Sequence, residues 1–227
     1  MLFRSYPYGS TSFLGVLESI LEGFRDEVYL ASIELAKEKG SFPLFDAEKY
    51  LQSEFTKTLP DDIRELILTH GIRNSHLLSI APTGTISLAA DNISSGIEPV
   101  FTYRYDRTIM TFDGQRIEEV TDWAYREYGV KGETADNIPA SAHVDVLNLA
   151  SKYVDSACSK TCNVGDNVGW EEFKSLYIQA YNGGASGCTT FRASGKRYGI
   201  LNAKPISDEE EGSACFIDPT TGAKSCS

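Results

Sequence analysis

Apolar residues recur every three to four positions from Phe13 onward: Leu14, Leu17, Leu21, Phe24, Val28 and Ala31 form one stripe, and Leu30, Ile33 and Ala36 extend it to Lys39. That is the period of an amphipathic helix, and Gly40 is its stop. Residues 1–12, rich in Gly, Ser and Tyr, have no period and read as a connector or frayed start. Asp46 fits the N-cap of a short helix through Leu51. Asp61 opens another, with Ile63, Leu66, Ile67 and His70 on one face and Gly71 as C-cap.

The pattern then changes. Ser75–Ile80 is a short apolar run of strand length, followed by a Pro-Thr-Gly-Thr turn and a helix start, and 92–99 reads as a loop. Residues 102–107 and 109–112 carry no secure core pattern, although Phe112-Asp113-Gly114-Gln115 reads as a hairpin turn. Glu118–Tyr128 reads as an amphipathic helix with Val120, Trp123, Ala124 and Tyr128 inward, and Ser141–Tyr153 as a further helix. Ala157–Val164 reads as a buried strand or strand-like turn, Trp170–Tyr181 as a helix, and Cys188–Phe191 as a strand bounded by Gly187 and Ser194-Gly195. Strands alternating with helices predict an α/β fold with parallel βα units.

The stretch with the clearest chemistry is Pro82-Thr83-Gly84-Thr85-Ile86-Ser87. A helix starting after a tight polar turn presents backbone N–H groups that have no intrahelical partner, and an anion suits them. Proline has no N–H to lose, Gly84 allows close backbone approach, and Thr83, Thr85 and Ser87 bring hydroxyls. Ile86 and Leu88-Ala89-Ala90 are expected to return the helix to the core. Read alone, the same residues also fit a capped turn with no ligand.

Six stretches, in order, resemble the C-terminal part of the ribonucleotide reductase large chain: Gly40–Pro43, Gly71–Ser75, Pro82–Ser87, Ser94–Pro99, Ser159–Val164 and Ala185–Arg192. The likeness runs from about residue 24 to about residue 202 and is nearest to the adenosylcobalamin-dependent (class II) branch. It implies the final portion of a ten-stranded α/β barrel over residues 1–203, with a flexible redox tail over 204–227. It implies that Pro82, Thr83, Gly84, Thr85, Ile86 and Ser87 bind the phosphates of a ribonucleotide di- or triphosphate. It also implies that Cys215 and Cys226 are the tail thiols that pass electrons from thioredoxin or glutaredoxin.

The family's radical cysteine lies in an Asn-x-Cys-x-Glu word that this sequence lacks; the nearest string, Lys160-Thr161-Cys162-Asn163, has another order and no following glutamate. The resemblance therefore implies an N-terminal reductase chain as partner, adenosylcobalamin in the assembled enzyme, and no catalytic residue within this chain. Thr189-Thr190 stand where class I chains read Tyr-Tyr, and threonine hydroxyls cannot relay a radical from a second subunit. A class I fragment and a non-catalytic nucleotide-binding module remain the alternatives.

Composition narrows the partners. With 227 residues and 41% hydrophobic content the chain can bury a substantial core. A net charge of −11 argues against a general nucleic-acid or membrane-surface binder, and no run approaches the roughly 20 apolar residues of a membrane span. The expected setting is the cytoplasm. Five scattered cysteines do not form a secreted disulfide framework, and there is no paired spacing for zinc. Cys158, Cys162 and Cys188 are read as buried small hydrophobes, and His70, His76 and His143 as structural. Glu98 is read as a carboxylate holding the loop beside the phosphate site, Arg73 and Asn74 as braces of that loop, and Lys196 and Arg197 as a solvated turn.

Overall fold

A computed structural model describes residues 6–93, 95–192, 201–203, 215–217 and 224–226, the last three groups as backbone only. Helix α1 (Thr11–Lys39) begins where the Ser10 hydroxyl accepts the Phe13 amide, and it ends at Gly40, whose φ of 77° suits glycine. Helix α2 (Ala47–Leu51) is capped by the Asp46 carboxylate, and α3 (Asp61–His70) closes on Gly71. These three pack together. Tyr29 and Ile33 of α1 meet Ile63 and Ile67 of α3, with Leu59 and Ile72 completing the cluster.

The buried side of α1 is Phe13, Leu17, Arg25, Tyr29, Ser32, Ile33 and Ala36, which is rotated from the stripe that hydrophobicity marks; Phe24 is 57% exposed. The rotation has polar causes. Tyr29 Oη donates to Asp155 at 2.8 Å, the Ser32 hydroxyl bonds to Asn74, and the Arg25 guanidinium lies 5.3 Å from the centre of the Tyr153 ring.

Ser75–Ile80 does not form a regular strand. Its end is extended, however, with an Ile80–Cys158 parallel bridge in which the Ile80 amide donates to Ala157 O at 2.9 Å and the Ser159 amide to Ile80 O at 2.8 Å. Asp155 fastens the same segment by accepting the amides of Leu77 and Leu78. Helix α4 (Gly84–Ala89) follows.

Strands β1 (Arg104–Thr111) and β2 (Gly114–Thr121) then form an antiparallel hairpin, turning where Phe112-Asp113-Gly114 predicts it. Residues 118–121, read from sequence as the start of a helix, belong to β2; α5 (Trp123–Tyr128) begins only after Asp122, whose carboxylate caps it. Helix α6 (Ala140–Ser151), strand β3 (Thr161–Asn163), helix α7 (Trp170–Asn182) and strand β4 (Thr189–Phe191) complete the described core.

β3 and β4 pair in parallel across the α7 crossover, which is the expected βα arrangement. The largest sheet is antiparallel instead, in the order β2-β1-β5, where β5 is Leu201–Ala203. Strands are short, and no sheet closes among the described residues. Cys215–Ile217 (β6) and Lys224–Cys226 (β7) form a separate antiparallel pair. The expected solvated turn at 196–197 and the linker from Asp208 to Ser213 lie outside the described residues.

Candidate phosphate-binding site

The turn at Pro82 leaves the extended segment that ends at Ile80. Thr83 takes a left-handed conformation, φ 33° and ψ 14°, which is costly for a β-branched residue. The first internal bond of the helix runs from the Ser87 amide to Thr83 O at 2.8 Å. The amides of Gly84, Thr85 and Ile86 have no acceptor among the described residues. A Cβ placed on Gly84 would meet nothing within 4 Å, so this side of the turn is open.

Three features refine the sequence reading of the loop. Ile86 is 68% exposed, so it does not return the helix to the core as its hydrophobicity suggests; Ser87 is the buried member of α4. The Ser87 hydroxyl donates to Gly84 O at 2.7 Å and receives Ser95 Oγ at 3.4 Å, which commits it to the fold. Thr83 Oγ1 is buried with no partner, and an unpaired buried hydroxyl costs about 1–3 kcal/mol.

The loop behind the turn is held by charge. At Gly96, φ +69°, the backbone closes on the turn: a Cβ there would lie 3.5 Å from Thr83 Oγ1 and 3.9 Å from Ala81 O. Two residues later, Glu98 Oε2 accepts Lys160 Nζ at 2.7 Å, and Oε1 accepts the Thr161 amide at 2.5 Å. Lys160 is 2% exposed, and its ammonium uses all three protons, on Glu98, on Thr161 O at 3.0 Å and on His143 Nδ1 at 3.1 Å.

His143 Nε2 lies 3.2 Å from Ala135 O, which only accepts, so Nε2 carries the proton and Nδ1 the lone pair that Lys160 needs. Burial, with the Lys160 charge beside it, lowers the imidazole pKa to about 4 and keeps the ring neutral. Tyr8 covers the ammonium, its ring centre 5.4 Å from Nζ and its hydroxyl donating to Ile97 O at 2.7 Å. Burial and the Glu98 charge push the Tyr8 phenol far up.

Glu98 thus has the structural part expected of it, whereas Arg73 and Asn74 do not brace this loop. Arg73 donates its amide to Ser32 O and Asn74 its amide to Ser32 Oγ, both on α1. Tyr8 is partly buried and packed against the cluster of Phe13, Leu17, Val146 and Leu149, not part of a frayed start. Sequence reasoning missed Lys160, His143 and Tyr8 as a unit; the one signal was a lysine inside a run otherwise read as a buried strand.

Cys158 and Cys162 are buried as expected, and burial lifts the Cys158 thiol to about 11. Cys188 is only half-buried and lies 3.9 Å from Cys162, sulfur to sulfur. At the chain's end the register places Cys215 directly opposite Cys226 in the β6–β7 pair. Among the described residues no group of three or more His, Cys, Asp or Glu is arranged to hold a metal ion, and no helix is long and apolar enough to cross a membrane.

The chain matches the family model described as ribonucleotide reductase, barrel domain, over residues 1–133 and 114–191. It belongs to that family. It is 30% identical over 226 aligned residues to the vitamin B12-dependent ribonucleoside-diphosphate reductase of Thermoplasma acidophilum, covering 87% of this chain and 27% of that protein. The enzyme of the same name from Mycobacterium tuberculosis H37Rv is 26% identical over 224 residues, 86% of this chain and 29% of the relative. The ribonucleoside-diphosphate reductase 1 subunit alpha of Salmonella typhimurium is 26% identical over 178 residues, 70% and 22% respectively. The chain therefore spans less than a third of the length of these relatives.

Proposed function

We propose that this chain is the C-terminal portion of an adenosylcobalamin-dependent ribonucleoside-diphosphate reductase, supplying the substrate-phosphate loop and the tail thiols for making deoxyribonucleotides. The observation that carries the reading is that the amides of Gly84, Thr85 and Ile86, and beside them the buried hydroxyl of Thr83, have no partner among the described residues. Pro82, Thr83, Gly84 and Thr85 then grip the phosphates, with Ile86 contributing its amide and Ser87 holding the turn from inside. Rigid placement of the phosphates fixes the ribose for a radical supplied elsewhere, which is catalysis by positioning.

We place the Asn-x-Cys-x-Glu loop and the remaining strands of a ten-stranded barrel on an N-terminal reductase chain, since that word is absent from this sequence. The names of the B12-dependent relatives and the threonines at 189 and 190 favour the cobalamin branch. The cofactor would supply the radical. His143, the buried imidazole, has both ring nitrogens engaged within the fold and would not serve as a cobalt ligand; we assign the cofactor's seat to the remainder of the enzyme. Cys215 and Cys226, opposite each other in the register of the β6–β7 pair, suit exchange with thioredoxin or glutaredoxin in the reducing cytoplasm.

The test is adenosylcobalamin-dependent formation of deoxynucleoside diphosphate by this chain combined with the complementary reductase portion. Activity that requires both components, and that Gly84→Val abolishes while leaving the chain folded, supports the reading. Reduction that is indifferent to Gly84→Val contradicts it.

A further inference from the structure

β3 and β4 are joined by the α7 crossover and lie side by side. Cys162 stands in the middle of β3, and Cys188 immediately precedes β4, their sulfurs 3.9 Å apart. From this geometry we infer that Cys162 and Cys188 are a reversible dithiol–disulfide couple, with Cys188 the attacking thiol and Cys162 the resolving one, and a small-molecule disulfide as oxidant. The inference does not depend on the phosphate loop or on the tail cysteines.

Unequal exposure assigns the two parts. Cys162 is fully buried in the cluster that contains Leu147, Val164 and Leu176, whereas Cys188 packs on the edge of that cluster and is reachable from solvent. Electrostatics agrees with this order. The hydrogen bond shared with Cys162, helped by the Lys160 charge, lowers the Cys188 thiol to about 7, and the same hydrogen bond, together with burial, raises Cys162. A thiol near neutral pKa is the better attacking group at neutral pH. Cys158, buried and raised, takes no part.

Bond formation needs the sulfurs to close to about 2.05 Å. The register opposes Cys162 to Thr190, so Cys188 meets it diagonally and must shift. It can do so because it lies outside β4 and follows Gly184, at φ +84°, and Gly187, at both of which a Cβ would find open space.

The chemistry balances. The Cys188 thiolate attacks one sulfur of glutathione disulfide, forming a mixed disulfide and releasing one glutathione thiolate, which takes up a proton. Cys162 then loses its proton to water or buffer and attacks Cys188 Sγ, forming the Cys162–Cys188 bond and expelling the second glutathione. The two cysteines lose two electrons and two protons, and the small disulfide gains them. The product ties β3 to β4 and encloses α7.

Trypsin reads the outcome directly, because cleavage after Lys160, Lys174 and Arg192 puts Cys162 in fragment 161–174 and Cys188 in fragment 175–192. The full-length reduced chain is exposed in its native state to excess glutathione disulfide, acid-quenched, unfolded, alkylated with N-ethylmaleimide and digested. Fragment 161–174 joined to 175–192, and released by dithiothreitol, is expected. In Cys162→Ser, glutathione should instead accumulate on Cys188. Should that variant not fold, the wild-type digest alone decides. Wild-type protein that retains glutathione on Cys188 beside an alkylated Cys162 would overturn the proposal. So would a Cys188 that reacts only after unfolding, or one that links to a cysteine other than Cys162.

Discussion

Lys160 Nζ and Glu98 Oε2 lie 2.7 Å apart, with the lysine side chain fully enclosed and the glutamate 14% exposed, and this pair joins β3 to the loop that backs the Gly84 turn. Removing one partner strands the other charge without water. Lys160→Met or Glu98→Gln should each lower the unfolding free energy by about 3–5 kcal/mol, read by urea denaturation. The double variant Lys160→Met/Glu98→Gln should lose clearly less than the sum of the single losses. Additive losses would show that the two residues act independently.

His143 gives the protein a pH dependence of defined sign. Its folded pKa, about 4, lies below the unfolded value of 6.5, so the unfolded chain binds the extra proton between those limits. Stability from this group is complete above pH 6.5 and is lost as pH falls toward 4, a span worth about 3 kcal/mol. His143→Gln should flatten that part of the stability–pH curve relative to wild type. Unchanged curvature would place the acid sensitivity elsewhere.

Asp155 accepts three hydrogen bonds, from Tyr29 Oη and from the amides of Leu77 and Leu78, and so fixes the segment leading to the Gly84 turn against α1. Tyr29→Phe removes one of these and should cost about 1–2 kcal/mol. Asp155→Ala leaves all three donors unmatched and should cost about 3 kcal/mol or more. Hydrogen exchange at Leu77 and Leu78 should accelerate only in the second variant.

Thr83 separates stability from binding. Its hydroxyl is buried without a partner, so Thr83→Val keeps the shape, removes an unmatched polar atom, and should leave the unfolding midpoint unchanged or slightly raised. Pyrophosphate affinity should fall by about tenfold, one hydrogen bond to a charged group being worth about 1.5–3 kcal/mol. Calorimetric titration beside thermal denaturation measures both. A variant that is destabilised yet binds normally would give Thr83 a structural part only.

Much of this was legible in the sequence where local chemistry decides. Asp46 caps its helix, Gly40 and Gly71 stop theirs, and the hairpin turn at Asp113-Gly114 lies where its residues require. Tertiary partners decided the rest. The buried face of α1 includes Arg25 and Ser32, which no hydrophobic count selects, because Tyr153 and Asn74 meet them from distant parts of the chain. Glu118–Thr121 looks helical in isolation but takes strand geometry because β1 supplies a partner for every residue. The loop proposed to bind phosphate could be singled out by its residue types; the Lys160–Glu98–His143 group behind it could not, since its members are separated by 62 and 17 positions and meet only in the fold.

The open amides at the start of α4 are proposed to bind phosphate, and backbone NMR of the 15N-labelled full-length chain during titration with inorganic pyrophosphate reads those amides one by one. If that binding occurs, saturable shifts concentrate at Gly84, Thr85 and Ile86 and are lost in Gly84→Val. Shifts confined to other residues, or none at those three amides in a folded chain, would contradict it.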